Sequence, residues 1–491
     1  MEKFILSIDQ GTTSTRAILF DHKGINRFKA QKEINCVFPK SGWVEVDAIQ
    51  IWLSTIDVIN EVLIKSNNTF KNIDSIGITN QRETTVIWER ETGIPVCNAI
   101  VWQSRQSSAI CEAVKDKKEF IHERTGLLIN PYFSASKIRF ILDNIPNGQK
   151  RAEKGELMFG TIDTWLLYKL TEGEVHATDV TNASRTMLFN IKEMKWDEEL
   201  CKLFNIPMCI LPSVHPSSYR YGECTFFPRN IPICGIAGDQ QAALFGQTCF
   251  EEGELKNTYG TGCFMLLNIG NKVPLSKNGL LTTVAWQIGD KITYALEGSV
   301  FIGGAVIQWV RDQLGFIKDA SQSEKLALEA DDEHAIYLVP AFVGLGTPYW
   351  DDHARGAIFG ITRDTNKAHF VRASLESIAY QCKDVFEVMK KDTGLTIKSL
   401  KVDGGATANK YLMQFQSSIL QIDIKLPKCL ETTALGVAYL SGLASGFFSS
   451  IDEIKKIHSF QAIYSPKMKK AEIENKYEGW KKAVASTRTF K

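Results

Sequence analysis

The stretch I-C-G-I-A-G-D-Q-Q-A-A-L-F-G, Ile233–Gly246, decides how the chain reads. An apolar run ends in glycine, and Asp239, Gln240 and Gln241 then lead into an Ala/Leu/Phe segment with helical periodicity. The pattern predicts a strand-to-helix elbow, with Asp239 at the carboxyl end of a strand and in the first turn of a helix. α/β proteins build sites at such ends, where the helix N-terminus favours negative charge. A carboxylate there also serves simply as a cap, so the elbow alone leaves both roles open.

Size and composition bound the answer. At 491 residues the chain has room for two or more domains with well-buried cores. Hydrophobic content of 44% and charged content of 23% are those of a soluble globular protein. The 57 Lys and Arg against 56 Asp and Glu leave +1, so no global field recruits nucleic acid or an anionic membrane. No apolar run is long enough to insert in a bilayer, and the opening M-E-K-F-I-L-S-I-D reaches Asp9 without a secretory cleavage region. Eleven cysteines without C-x-x-C pairs fit free thiols in a reducing cytoplasm better than zinc sites or disulfides. The expectation is a cytoplasmic protein.

Working outward from the elbow, Phe4–Ile8 and Ala17–Phe20 read as strands around D-Q-G-T-T-S-T-R, Asp9–Arg16. Such a hairpin tip offers N–H groups and hydroxyls suited to phosphate oxygens, and Gly11 allows close approach. It is not a Walker loop, because G-x-x-x-x-G-K-[ST] is absent and a strand follows. On the other side of the elbow, N-T-Y-G-T-G-C-F-M-L-L-N (Asn257–Asn268) repeats the strand, Gly/Thr turn and strand. One such hairpin in each half suggests a duplicated domain.

Between them, Asp47–Ser66 reads as an amphipathic helix capped by Asp47, with Ile49, Trp52, Ile56, Ile59 and Val62 on its core face. Ile73–Thr79 is a strand running into T-N-Q-R-E-T-T-V-I-W (Thr79–Trp88), which sets Arg82 beside Glu83 between apolar segments. A recessed donor fork next to an acceptor suits a neutral polyol. Ala99–Trp102 is a further strand, and Trp102 is either an apolar wall for a small polar ligand or a packed core side chain. Tyr132 lies in a turn before a helix that continues to Asn144. Ser184–Asn190 and Pro212–Pro232 read as surface connections.

Downstream, Leu280–Trp286 and Ile292–Leu296 are strands, and Glu297–Arg311 enters a helix through two glycines, with Gln308 one turn on. Lys367–Lys391 is a long helix. Leu400–Asp403 is a strand ending in D-G-G-A-T-A-N, Asp403–Asn409. Thr432–Gly442 is a small-residue helix fit for close packing, and the Lys-rich tail from Lys467 is a solvated helix face.

Together, D-Q-G-T-T-S-T-R, T-N-Q-R-E-T-T, G-I-A-G-D-Q-Q-A-A-L-F-G, N-T-Y-G-T-G-C-F and V-D-G-G-A-T-A-N resemble the FGGY carbohydrate kinases, in order and spacing from Phe4 to Trp480. Gly356–Glu376 and Tyr132–Asn144 are similar to further family signatures, with Phe140 where Trp is usual. The resemblance implies an α/β fold of two ribonuclease H-like domains of the actin/Hsp70 type flanking a cleft, residues 1–247 and 248–491. It implies transfer of the γ-phosphoryl group of ATP, with Mg²⁺, to glycerol, giving sn-glycerol 3-phosphate and ADP, the first step of glycerol catabolism.

By position, Asp239 matches the family's general base. Thr12, Thr13, Ser14 and Arg16 match the first phosphate hairpin, Thr261 the second, and Gly304, Gln308, Gly405 and Asn409 the nucleotide contacts. Arg82, Glu83, Tyr132, Asp239 and Gln240 match the glycerol contacts, with Trp102 and Phe264 as apolar wall; Asp9 matches a Mg²⁺ contact through water. A homodimer or homotetramer is implied. Two rivals stand beside this: a family kinase for another small polyol or sugar, such as xylulose or gluconate, and a non-kinase actin-like ATPase. The R-E-T-T version of Thr79–Thr85 resembles the glycerol-phosphorylating members, and an ATPase has no need of Arg82 and Glu83 with Trp102 and Phe264.

Overall fold

The computed structural model describes residues 2–67, 70–331 and 335–490, and one sheet of 13 strands runs through it. Its first half runs Asn26–Glu33, Ser14–Phe20, Phe4–Gln10, Ile73–Asn80, Ile231–Gly238. The first three strands are antiparallel neighbours, and the last two run parallel to Phe4–Gln10. The second half runs Lys291–Val300, Cys263–Asn268, Leu255–Tyr259, Ser399–Asp403, Asp423–Pro427 with the same alternation of directions. The ribonuclease H-like motif is therefore present twice. The copies join where Ser218–Cys224 pairs with Leu281–Ile288 through Ser218 and Ile288. Phe4–Gln10 is buried along its whole length, as expected of a strand covered on both faces.

Hairpin register places the polar tips. Gln10 pairs with Thr15, leaving Gly11–Ser14 at one tip; Tyr259 pairs with Cys263, leaving Gly260–Gly262 at the other. The elbow forms as read, with the strand Ile231–Gly238 turning directly into the helix Asp239–Gly246.

That helix packs against the small-residue helix Thr432–Ser445 at backbone distance. A Cβ at Gly436 would lie 1.8 Å from the Ala242 carbonyl, and one at Gly246 2.0 Å from that of Thr432. The same helix lies on first-half strands: Ser7 Oγ donates to the Ala434 carbonyl (2.8 Å) and Ser441 Oγ to that of Ile76 (3.0 Å). Gly436→Ala is expected to force these helices apart, at a cost of about 1–3 kcal/mol for overpacking. Thermal melting checks this: the midpoint falls by several degrees, whereas Gly405→Ala, whose Cβ meets nothing within 4 Å, leaves it unchanged.

Several expectations change. The helix Ala48–Ser66 is capped by Asp47, whose Oδ1 accepts from Ile49 N at 2.8 Å, but Ile49 is 37% exposed. The buried stripe runs through Ile51, Trp52, Val58, Ile59, Val62 and Leu63, because isoleucines flank it on both sides and periodicity fixes its width better than its rotation. Ser184–Asn190 is buried throughout rather than on the surface. Pro212–Pro232 contains the strand Ser218–Cys224 that joins the halves. Only Ala99 and Ile100 are strand, so Trp102 sits in the turn beyond, and Glu297 belongs to the strand Lys291–Val300. The last helix, Lys470–Thr489, has its lysine face but buries Ile473, Trp480, Ala483 and Val484. All eleven cysteines are free, and among the described residues no helix is long and apolar enough to cross a membrane.

Candidate active site

Asp239 opens its helix but does not cap it. Gly238 holds the cap position, and Asp239 Oδ1 accepts the neighbouring Gln240 N–H, at 2.7 Å. The side chain is 31% exposed and lies 3.2 Å from Arg82 Nε. Burial pushes the carboxyl above the usual aspartate value, against the opposing pull of Arg82 and Lys256. A Cβ at Gly238 would meet Arg82 Cγ at 2.7 Å, so glycine there gives the Arg82 side chain its passage.

Arg82 and Glu83 follow the strand Ile73–Asn80 and are both buried. Glu83 holds φ at 62°, the left-handed region that a glutamate rarely adopts, a strain that accumulates at functional sites. The Arg82 fork is already engaged. Nη1 and Nη2 donate to Glu297 at 2.6 and 3.0 Å, and Nη2 also to the Tyr132 hydroxyl at 3.3 Å. Arg185, completely buried, bridges the two acids, with Nε to Glu83 at 2.6 Å and Nη2 to Glu297 at 3.0 Å. Burial pushes the Glu297 carboxyl up, but Arg185 and Arg82 outweigh it and hold it at about 2. Charges this deep are tolerated only in such pairings.

Gln240 presents its carbonyl oxygen to buried Lys256, whose Nζ donates to it at 2.5 Å and to Thr258 Oγ1 at 2.8 Å. An ammonium only donates, so the amide nitrogen of Gln240 is left for another partner. Burial lowers the Lys256 pKa to about 8.

Trp102 connects the two hairpins. Its Nε1 donates to Thr12 Oγ1 at 2.9 Å, and its ring stands edge-on to Phe264 at 6.3 Å and to Tyr132 at 5.5 Å. It is partly buried and packs against the core of the first half while leaving part of its ring open. In the first hairpin Thr13 is exposed, Ser14 is buried, and Arg16 Nη1 lies 3.4 Å from both Asp9 and Glu431. In the second, Thr261 is exposed, and the tip is tied to the helix Ala305–Asp312 by Gly303 N to Thr261 O and Gly304 N to Gly260 O, each 2.8 Å. Gln308 is exposed on that helix. Gly405 is open on one side, while Asn409 caps the helix Lys410–Leu420 and donates to Ser323 Oγ at 3.1 Å. Among the described residues no hydrogen bond joins Gly304 and Gln308 to Gly405 and Asn409.

Residues 4–246 match the N-terminal domain of the FGGY family of carbohydrate kinases, and residues 255–445 its C-terminal domain. The chain belongs to the FGGY family of carbohydrate kinases. Among similar FGGY proteins are the glycerol kinases of Bacillus licheniformis, 56% identical over 496 residues, and Halalkalibacterium halodurans, 55% identical over 495, each alignment covering 100% of both chains. Plasmodium falciparum glycerol kinase with ADP superposes with a TM-score of 0.93 at 38% identity, over 99% of this chain and 98% of that one. A gluconate kinase from Lactobacillus acidophilus, at 21% identity, TM-score 0.89 and 100% and 99% coverage, shares the fold.

In this FGGY kinase the motifs singled out the elbow, Arg82 and Glu83, Tyr132, Trp102, Phe264 and both hairpins, but passed over Arg185, Glu297 and Lys256. A signal for the last two was present. Each is a lone charge within an otherwise uncharged, buried stretch of strand, in L-K-N-T-Y and Y-A-L-E-G-S-V, where only a buried partner makes it tolerable. Arg185 had none, since its segment carries no clear periodicity.

Proposed function

We propose that the chain is a glycerol kinase, transferring the γ-phosphoryl group of ATP to glycerol to give sn-glycerol 3-phosphate and ADP. The carrying observation is one partly exposed carboxylate, Asp239, set against buried Arg82 and Glu83 with half-buried Tyr132, and beside two hairpins that Trp102 links. The glycerol kinases of Bacillus licheniformis and Halalkalibacterium halodurans, more than half identical over the whole chain, support the choice of acceptor.

In this reading Asp239 takes the proton of the attacking hydroxyl, a contribution of about 10²–10⁴-fold. Arg82, Glu83, Tyr132 and Gln240 hold the hydroxyls, while Trp102 and Phe264 face the carbon edge. A deoxy analogue would leave buried polar groups unpaired. Thr12, Thr13, Ser14, Arg16 and Thr261 supply donors to the phosphates from two sides, and Gly304, Gln308, Gly405 and Asn409 contact the nucleotide. The units are 1–247 and 248–491, acting in the cytoplasm as a homodimer or homotetramer.

Asp9 suits Mg²⁺. Burial raises its carboxyl to about 6 despite Arg16, so it is an under-compensated acid that a cation stabilises. Among the described residues no cluster of three or more His, Cys, Asp or Glu forms a cage, which fits a metal held by one carboxylate, water and substrate phosphates. When bound, Mg²⁺ neutralises charge on the phosphate oxygens.

An assay of ADP release against glycerol, dihydroxyacetone, xylulose and gluconate tests the reading. Glycerol is expected to give the highest kcat/KM, and a preference for either sugar overturns it. The pH dependence has a definite sign. Because the Asp239 pKa is raised, its protonation removes the proton acceptor as pH falls, so kcat/KM declines on the acid side with a midpoint above the ordinary 3.8. A profile flat down to that value would contradict the assignment.

A further inference from the structure

An arginine in a substrate pocket ordinarily captures anions, because its planar fork matches a carboxylate or phosphate with two parallel bonds. Here that fork is already taken. Glu297, completely buried and contributed by the strand Lys291–Val300 of the second half, engages both terminal nitrogens of Arg82 at 2.6 and 3.0 Å. Its Oε1 is held in place by Arg185 at 3.0 Å, and Arg185 in turn pins Glu83 at 2.6 Å. The remaining Arg82 donor, Nε, faces Asp239 at 3.2 Å. With Asp239 ionised, these five side chains carry one more negative than positive charge; the neighbouring cation, Lys256, is committed to Gln240 and Thr258. Arg82 is therefore fixed, with no bidentate face left for an anion, and Glu83 and Asp239 repel one.

We infer that Glu297 is a specificity-determining positioning residue: by occupying the Arg82 fork it restricts the acceptor site to uncharged polyols and excludes three-carbon acids such as glycerate. The inference rests on the acceptor reading above. Glu297 acts through Arg82. It also makes the acceptor site a joint product of both halves, since the guanidinium that orients the acceptor is aimed by a carboxylate from the other repeat.

Glu297→Gln tests this, because an amide accepts from only one nitrogen of the fork and brings the cluster to neutrality. The measurements are kcat, the KM values of glycerol and ATP, and the competitive inhibition constant of D-glycerate against glycerol, with ADP binding as the check on folding. The expected result is a glycerol KM raised and glycerate inhibition tightened, each by roughly tenfold or more (about 1.4 kcal/mol), with the ATP KM within about twofold. A purely structural role would weaken all ligands together. A variant that binds ADP normally and moves neither glycerol nor glycerate overturns the inference. If Glu297→Gln does not bind ADP, the charge-balanced pair Arg185→Gln/Glu297→Gln replaces it; the net charge is then unchanged, so only the freeing of the Arg82 fork acts, and glycerate inhibition is expected to tighten by a smaller factor, with no tightening overturning the inference. Glycerate that competes in the unsubstituted enzyme at concentrations near the glycerol KM overturns the inference without any variant. If the unsubstituted enzyme leaves glycerol untouched, the acceptor reading falls and this inference with it; if glycerol is phosphorylated and the variants are unchanged, only the inference falls.

Discussion

Asp239→Asn is expected to lower the rate of glycerol phosphorylation by about 10²–10⁴-fold while ADP binding stays close to that of the unsubstituted enzyme. The exchange keeps volume and shape, so the acceptor pocket and both hairpins remain. What goes is the lone pair that receives the hydroxyl proton, because an amide does not protonate in this range. The rate that remains comes from positioning and from the donors around the phosphates, which the substitution leaves alone. Stability should move the other way. The fold disfavours the charged form of this carboxyl, as its raised pKa records, so a neutral amide removes an unfavourable charge and the melting temperature should hold or rise. Single-turnover phosphoryl transfer, ADP calorimetry and thermal melting together check all three. Substantial turnover in the variant would assign the base to another group.

Arg82→Ala combines a functional and a structural loss. Its guanidinium is the bidentate partner of Glu297 and the neighbour of Asp239 and Tyr132. Without it, Glu297 and Glu83 share Arg185 alone in a fully buried setting. Breaking a buried pair this way typically costs about 3–5 kcal/mol, because an anion is left without compensation. The melting temperature should therefore fall sharply, and kcat/KM for glycerol should fall far more than affinity for ATP. Adding Glu297→Gln separates the two effects: it removes the stranded anion, so melting recovers substantially while glycerol use does not. Equal losses for glycerol and ATP in the single variant would count against a polyol role for Arg82.

The local part of this protein was determined by sequence alone. Each Gly/Thr tip between apolar strands, the Gly238–Asp239 elbow and the Asp47 cap rest on preferences that act within a few residues, so they appear in the chain as short readable patterns. The recurrence of the hairpin in each half made the duplicated fold legible as well. Tertiary structure alone decided what those elements meet. Arg82 and Glu297 stand 215 residues apart, and Arg185 stands 102 from Glu83 and 112 from Glu297. No local preference connects such positions; they are paired because burial makes an isolated charge intolerable and the packed sheet brings the opposite charge alongside. The same reason buries Ser184–Asn190, a segment with the polarity of a surface loop whose polar groups find their partners inside. Sequence thus singled out Arg82 and Glu83 but not Arg185, Glu297 or Lys256, and the fold alone decided that Arg82 faces a glutamate from the other half.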